Sequence, residues 1–162
     1  MPRDEVVIYT DGGASPNPGL GGWAAVLISP AHGGLERAKE IFGAEPDTTN
    51  NRMELRAAVM ALSALKRPCS VSLYTDSAYL RNAFERGWLD KWLRNGWLTS
   101  EKKPVLNRDL WEELLSLSRI HSVEWIWTKG HSTGGASASL NNRCDALVRL
   151  ARDRYVLERK GG

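Results

Sequence analysis

The sequence predicts an α/β fold, with a central sheet covered by amphipathic helices and its chemistry gathered at one end of the strands. Three observations predict it. Val6-Val7-Ile8-Tyr9-Thr10-Asp11 opens with apolar, partly β-branched residues and reads as a buried strand. Val71-Ser72-Leu73-Tyr74-Thr75-Asp76 is a second strand that repeats the Tyr-Thr-Asp ending. Between them, Leu55, Ala58, Val59, Leu62 and Leu65 form one apolar stripe at helical period, predicting a helix over 51–66. Gly12-Gly13 is expected to end the first strand and let the backbone turn. Asp11 would then sit at the carboxyl end of a central strand, where open α/β sheets place ligands. Parallel pairing of the two strands would bring Asp11 and Asp76 out side by side. Carboxylates so placed repel unless a positive charge lies between them.

The remaining elements follow in order. Ala14 to Gly19 holds two prolines and reads as a turn-rich loop. It is short enough for an antiparallel hairpin into a second strand over 22–28. Pro30 and Gly33-Gly34 mark a turn, and 35–44 carries a weak strand pattern. In the helix over 51–66, Glu54 lies in the first turn beside the apolar stripe. Asn51-x-x-Glu54 also resembles a capping box, which would give the glutamate a purely structural role. Ser77 is placed to cap a helix with Tyr79, Leu80 and Phe84 as buried candidates. Residues 87–104 interleave Trp88, Trp92 and Trp97 with Lys91, Arg94, Lys102 and Lys103. A helix over 107–119 would bury Leu110, Leu114 and Leu117 with Trp111 alongside. Val123 to Thr128 is the fifth strand. A last helix from about 141 places Cys144, Leu147, Val148, Ala151 and Tyr155 on one face, with Asp145 flanking it in the first turns. An acid near a helix start is ordinary dipole chemistry.

Composition narrows the class. The 162 residues match one domain, 1–162, with a basic Trp-rich protrusion at about 87–104. The 22 Lys and Arg against 19 Asp and Glu give +3, which permits a polyanionic partner without demanding one. Cys69 and Cys144 fit neither a disulfide framework nor a zinc spacing and read as core residues in a reducing compartment. The charged start lacks the apolar core of a signal peptide, and no apolar run reaches the ~18 residues of a membrane helix. A cytoplasmic protein is expected.

Four acids share one location: Asp11 and Asp76 at strand ends, Glu54 and Asp145 early in helices that can pack beside them. Clustered, uncompensated carboxylates are destabilising. A hard cation with oxygen ligands resolves the conflict, and carboxylates that leave room for water and phosphate suit Mg2+.

These residues carry a resemblance. The segments Tyr9-Thr10-Asp11-Gly12, Thr48-Thr49-Asn50-Asn51-Arg52-Met53-Glu54-Leu55, Tyr74-Thr75-Asp76-Ser77, Lys129-Gly130-His131 and Asn142-Arg143-Cys144-Asp145 span nearly the whole chain. Together they resemble type 1 ribonuclease H. The resemblance implies a ribonuclease H-like fold: a five-stranded mixed sheet, three antiparallel plus two parallel strands, flanked by helices. It implies hydrolysis of the RNA strand of RNA–DNA hybrids, giving 5′-phosphate and 3′-hydroxyl ends, by a monomer. By position, Asp11, Glu54, Asp76 and Asp145 would be ligands for two Mg2+ ions ~3.5–4 Å apart, with Mn2+ as a substitute. His131 would assist proton transfer or product release. Asn17, Asn50 and Asn51 match positions that touch the hybrid's minor groove, where the 2′-hydroxyl separates RNA from DNA. Thr49 matches one near a DNA-strand phosphate. Turn and cap chemistry is a plausible alternative for each of the three asparagines taken alone. Lys91, Arg94, Lys102 and Lys103 match the basic protrusion that meets the DNA strand.

Two departures stand out. The stretch after His131, Ser132 to Ser139, is longer than the bacterial pattern, and Ala78 follows Asp76-Ser77 where a polar residue could reach substrate. Two rivals are another nuclease or integrase of the same fold and a catalytically dead hybrid-binding module. The intact acids argue against the second, and the Thr-Asn-Asn-Arg-Met-Glu-Leu run argues against the first.

Overall fold

A computed structural model describes residues 3–30, 36–128 and 135–161, with 135–138 as backbone only. Five strands, β1 (Asp4–Ala14), β2 (Gly19–Ser29), β3 (Arg37–Thr48), β4 (Cys69–Thr75) and β5 (Ser122–Trp127), form one sheet in the order β3-β2-β1-β4-β5. β1, β2 and β3 pair antiparallel; β4 runs parallel to β1, and β5 parallel to β4. This is the expected mixed sheet. The helices are α1 (Asn50–Ser63), α2 (Ala78–Glu85), α3 (Trp88–Asn95), α4 (Arg108–Ile120) and α5 (Gly135–Lys160).

Strand alternation divides the core between the two faces of the sheet. Ile8, Ala25, Val71 and Leu73 pack with Leu55, Leu62, Leu80, Leu110 and Leu114 from α1, α2 and α4. Tyr9, Ala24 and Val26 face the other way, beneath Cys144, Leu147 and Val148 of α5. Each fully buried leucine contributes roughly 2 kcal/mol of apolar transfer. Both cysteines are free and buried, as their composition suggested. No helix among the described residues is long and apolar enough to cross a membrane.

Several boundaries differ from expectation. β3 runs on to Thr48, beyond 44, and its start at Arg37 lies after Leu35, which is outside the described residues. It is an edge strand with one side in solvent, which explains both its weak pattern and its tolerance of Pro46. α1 stops at Ser63 rather than Lys66, capped at Ala64, whose backbone N–H bonds the carbonyls of the last turn. α5 begins at Gly135, not near Asn141. Leu117 is only partly buried.

Residues 88–105 form a small lobe. Gly87 and Gly96, with φ of 66° and 77°, bracket α3 in left-handed conformations. Trp92 packs at 6.0 Å from Trp88, 5.8 Å from Trp97 and 5.7 Å from Trp111 of α4, between ring centroids. The tryptophans are therefore a core that ties the lobe to α4.

Candidate active site

The site begins with register. Tyr9 and Tyr74 pair across β1 and β4, and their rings stack at 4.5 Å and 8°. Two residues further along the chain are Asp11, still in β1, and Asp76, just past the end of β4. β1 does not end there: Asp11, Gly12 and Gly13 stay paired with Ala24, Trp23 and Gly22 of β2. The glycines therefore do not supply the expected turn. A Cβ on Gly12 would lie 2.3 Å from the Met53 carbonyl carbon and 2.6 Å from the Glu54 nitrogen. A Cβ on Gly22 would lie 2.6 Å from the Val148 carbonyl oxygen. Glycine is required because α1 presses on the sheet at Gly12, and α5 presses on it at Gly22. Those approaches carry Glu54 and Asp145 to the strand ends.

Asp11, Asp76 and Asp145 line one open cleft of about 180 Å³, together with Asn50, Asn141, Asn142 and Arg152. Burial raises the Asp11 carboxyl to about 7; the negative charges of Asp76, Asp145 and Glu54 add to the rise and the Gly12 backbone N–H opposes it. Glu54 is also raised to about 7, first by burial and further by Asp76, against a hydrogen bond from Ser77. The Ser77 hydroxyl donates to Glu54 Oε2 and accepts from Leu80 N at 3.1 Å. Asp145 Oδ2 accepts from Arg149 Nη2 at 2.7 Å. Burial and the charge of Asp11 push the neighbouring Cys144 thiol up to about 12.

The structural alternatives for the two helix acids do not hold. The N-cap of α1 is Thr49, whose Oγ1 accepts from Arg52 N at 3.1 Å, so Asn51 and Glu54 form no capping box. Glu54 lies in the second turn rather than the first. Asp145 lies ten residues into α5, beyond the reach of a dipole at the helix start.

Among the described residues, no three Asp, Glu, His or Cys side chains are gathered into a ready metal cage. Ser77 and Arg149 hold two of the four carboxylates to one side. The donor set nevertheless fits a hard divalent cation: oxygen ligands only, an open cleft, and a buried Asp11 carboxyl pushed up by burial and by the neighbouring acids. Magnesium sites keep several waters and use few protein carboxylates, so a loose arrangement suits them.

The other expected contacts are placed less uniformly. Asn50 Oδ1 accepts from Ala14 N at 2.6 Å, and Asn17 Oδ1 accepts from Asn50 N at 3.1 Å. These two asparagines fasten the β1–β2 loop to α1, so their turn chemistry is real. Among the described residues their Nδ2 groups have no hydrogen-bond partner. Asn51 and Thr49 are exposed at the start of α1. Lys91, Arg94, Lys102 and Lys103 are all exposed on the tryptophan lobe. Lys103 pairs loosely with Glu101 at 3.5 Å. His131 lies outside the described residues. Sequence reading missed Asn141, Asn142 and Arg152 as cleft residues, and Ser77 as the partner of Glu54. The available signal was helical spacing: Arg152 follows Asp145 by seven residues, two turns along one face.

The sheet order, with acids gathered beside β1 and β4, matches a class of hydrolases that act as endonucleases. A family model described as RNase H matches residues 3–153, and the chain belongs to the ribonuclease H family. It is 58% identical over 147 residues to the ribonuclease H of Moorella thermoacetica, covering 91% of each chain. LC9-RNase H1, described as a type 1 RNase H with the type 2 active-site motif, superposes with a TM-score of 0.79 at 28% identity, over 94% of this chain and 74% of that one. LC11-RNase H1, solved in complex with an RNA/DNA hybrid, shares the fold with a TM-score of 0.63 at 22% identity, over 93% and 99%. The family generally uses divalent metal ions.

Proposed function

We propose that this enzyme cleaves the RNA strand of RNA–DNA hybrids by magnesium-dependent hydrolysis, leaving 5′-phosphate and 3′-hydroxyl ends. The observation that carries the reading is the buried Asp11, pressed by three other acids just past the parallel pairing of β1 with β4. Asp11, Glu54, Asp76 and Asp145 would hold two Mg2+ ions, with Mn2+ able to substitute. When bound, the ions supply a lowered pKa for the attacking water and charge stabilisation for the departing 3′-oxygen. Asp11 and Asp76 are held in register by the stacked tyrosines beneath them. Ser77 steadies Glu54, and Arg149 must yield Asp145 as the cleft fills. His131 takes the proton-transfer or product-release role that its motif implies.

Substrate recognition is assigned to the rim. The Nδ2 donors of Asn17 and Asn50, with Asn51, would read the minor groove, where a 2′-hydroxyl distinguishes RNA. The Thr49 hydroxyl can still donate to a phosphate while it caps α1. The exposed cations of the lobe would meet the DNA strand. Neutralising Lys91, Arg94, Lys102 and Lys103 together should raise KM about tenfold at moderate salt and flatten its salt dependence, with kcat little changed. An unchanged slope, measured on folded protein, would leave the lobe as packing alone. The functional reading is tested by incubating labelled hybrid, RNA duplex and DNA duplex with and without Mg2+. Cleavage confined to the RNA of the hybrid and dependent on metal is expected. Equal cleavage of all three substrates would overturn the substrate, and binding without cleavage would overturn the activity.

A further inference from the structure

Arg152 is the one cation among the described residues lining the acid cleft. It lies two turns beyond Asp145 on α5, half-buried, with its stem laid over Gly22 of β2. A Cβ on Gly22 would come within 3.3 Å of Arg152 Cγ, so the absence of a side chain there is what lets the arginine lie flat. Arg149, one turn nearer the start of α5 and outside the cleft lining, has a carboxylate, that of Asp145, at 2.7 Å. Arg152 has none: no carboxylate among the described residues lies within ion-pair distance of its guanidinium. Elsewhere, half-buried arginines are matched. Arg52 meets Asp109 at 2.7 Å, and Arg56 meets Glu45 at 3.0 Å. A guanidinium kept beside a nucleolytic cleft, without a protein anion, has donors left for an anion that arrives from outside.

We propose that Arg152 is a substrate-binding residue that grips a backbone phosphate of the bound strand, beyond the scissile one on the α5 side of the cleft. The inference rests on the reading of this cleft as the site of hybrid hydrolysis. Its donor fork matches a phosphate in two-point geometry, which a lysine ammonium cannot copy. Its role is to fix how far the strand slides along the cleft, and it does no chemistry at the reacting atoms.

The test is a pair of variants, Arg152→Gln, which keeps the stem over Gly22, and Arg152→Lys, which keeps the charge. Both are compared with wild type on hybrid over a salt series with saturating Mg2+. The expected result for Arg152→Gln is a KM raised about tenfold, the scale of one charge-assisted hydrogen bond. The dependence of log KM on log salt should be shallower by roughly 0.9, the release of one counterion. Arg152→Lys should restore the salt slope but only part of the affinity. Thermal melts and a calorimetric Mg2+ titration without substrate accompany the kinetics. A normal salt slope in Arg152→Gln, with its midpoint for Mg2+ shifted instead, would overturn the proposal and make Arg152 a counter-ion to the acids. A lowered melting temperature with unchanged KM would overturn it in favour of packing. Wild type that fails to cleave hybrid would sink the functional reading itself, an outcome separate from both.

Discussion

β1 and β4 carry ionisable groups at both ends, and the two ends are built on opposite terms. At the start of the strands two of these groups have partners. Asp4 meets Arg67 at 2.9 Å. His121, just 4% exposed, accepts from the Cys69 backbone N–H on Nδ1 at 3.1 Å and also hydrogen-bonds the Leu62 backbone. At the far end, Asp11 and Asp76 face each other with two further acids at hand, and two of these carboxyls are driven to about 7. The same pairing of strands thus holds a satisfied pole and a frustrated one. Folding alone would favour neutral residues at the second pole.

The strongest break in this contrast is Asp11→Asn. Hydrolysis should fall by about 10⁴-fold, the scale of losing one member of a set that acts as a unit. Hybrid binding, measured by filter retention, should survive because its contacts lie on the rim. The metal-free protein should become more stable, since a buried uncompensated charge has gone. Wild-type cleavage by this variant would remove Asp11 from the mechanism.

The satisfied pole should answer in the reverse way. His121→Ala leaves the buried Cys69 N–H without an acceptor, at a cost of about 2 kcal/mol in denaturant unfolding. The kinetic constants on hybrid should be unaffected. A loss of kcat with full stability would show that the two poles communicate.

The smallest effect sharpens the comparison by pH. Asp11 and Glu54 have folded values near 7, above their ordinary 3.8 and 4.5, so the native state binds extra protons between those limits. Their cost is absent below pH 4 and complete above 7, so stability falls as pH rises through that window. His121 is shifted the other way, lowered from 6.5 chiefly by burial, so its contribution is lost as pH falls below that value. Asp109, lowered to about 2 by Arg52, adds stability above 3.8 that disappears at lower pH. Melting temperatures in chelator should therefore form a dome. Asp11→Asn should flatten its alkaline side, and Mg2+ should do the same for wild type. An alkaline limb indifferent to both would mean that the acids are compensated by other means.

Much of this contrast was legible in the sequence. The Tyr-Thr-Asp echo placed both aspartates, and helical period placed Glu54 and Asp145 beside them. What escaped was set by packing between distant segments. Gly12 reads locally as a turn, yet it serves the close approach of α1, forty residues on. The run from Gly135 to Ser139 reads as a linker, because small polar residues carry no apolar stripe. It is nevertheless the first turn and more of α5. Asn51 and Glu54 have capping-box spacing, but the cap falls two residues earlier, on Thr49. Nothing local singles out Arg152, because the cleft is assembled from β1 and α5.

The fit of α1 against Gly12 bears on how this enzyme can drift over generations. Position 12 carries no side chain that could touch a reacting atom, yet it sits where two backbones nearly meet. In a saturation library scored for survival, tolerance should collapse there. Even Gly12→Ala should cost as much as losing a catalytic acid, because Glu54 would be levered away from Asp76. Gly87 has nothing within 4 Å of the space its Cβ would fill. Its tolerance should be limited only by its left-handed backbone, with asparagine the best replacement. Position 87 could change over generations while this one hydrogen atom on β1 stays frozen.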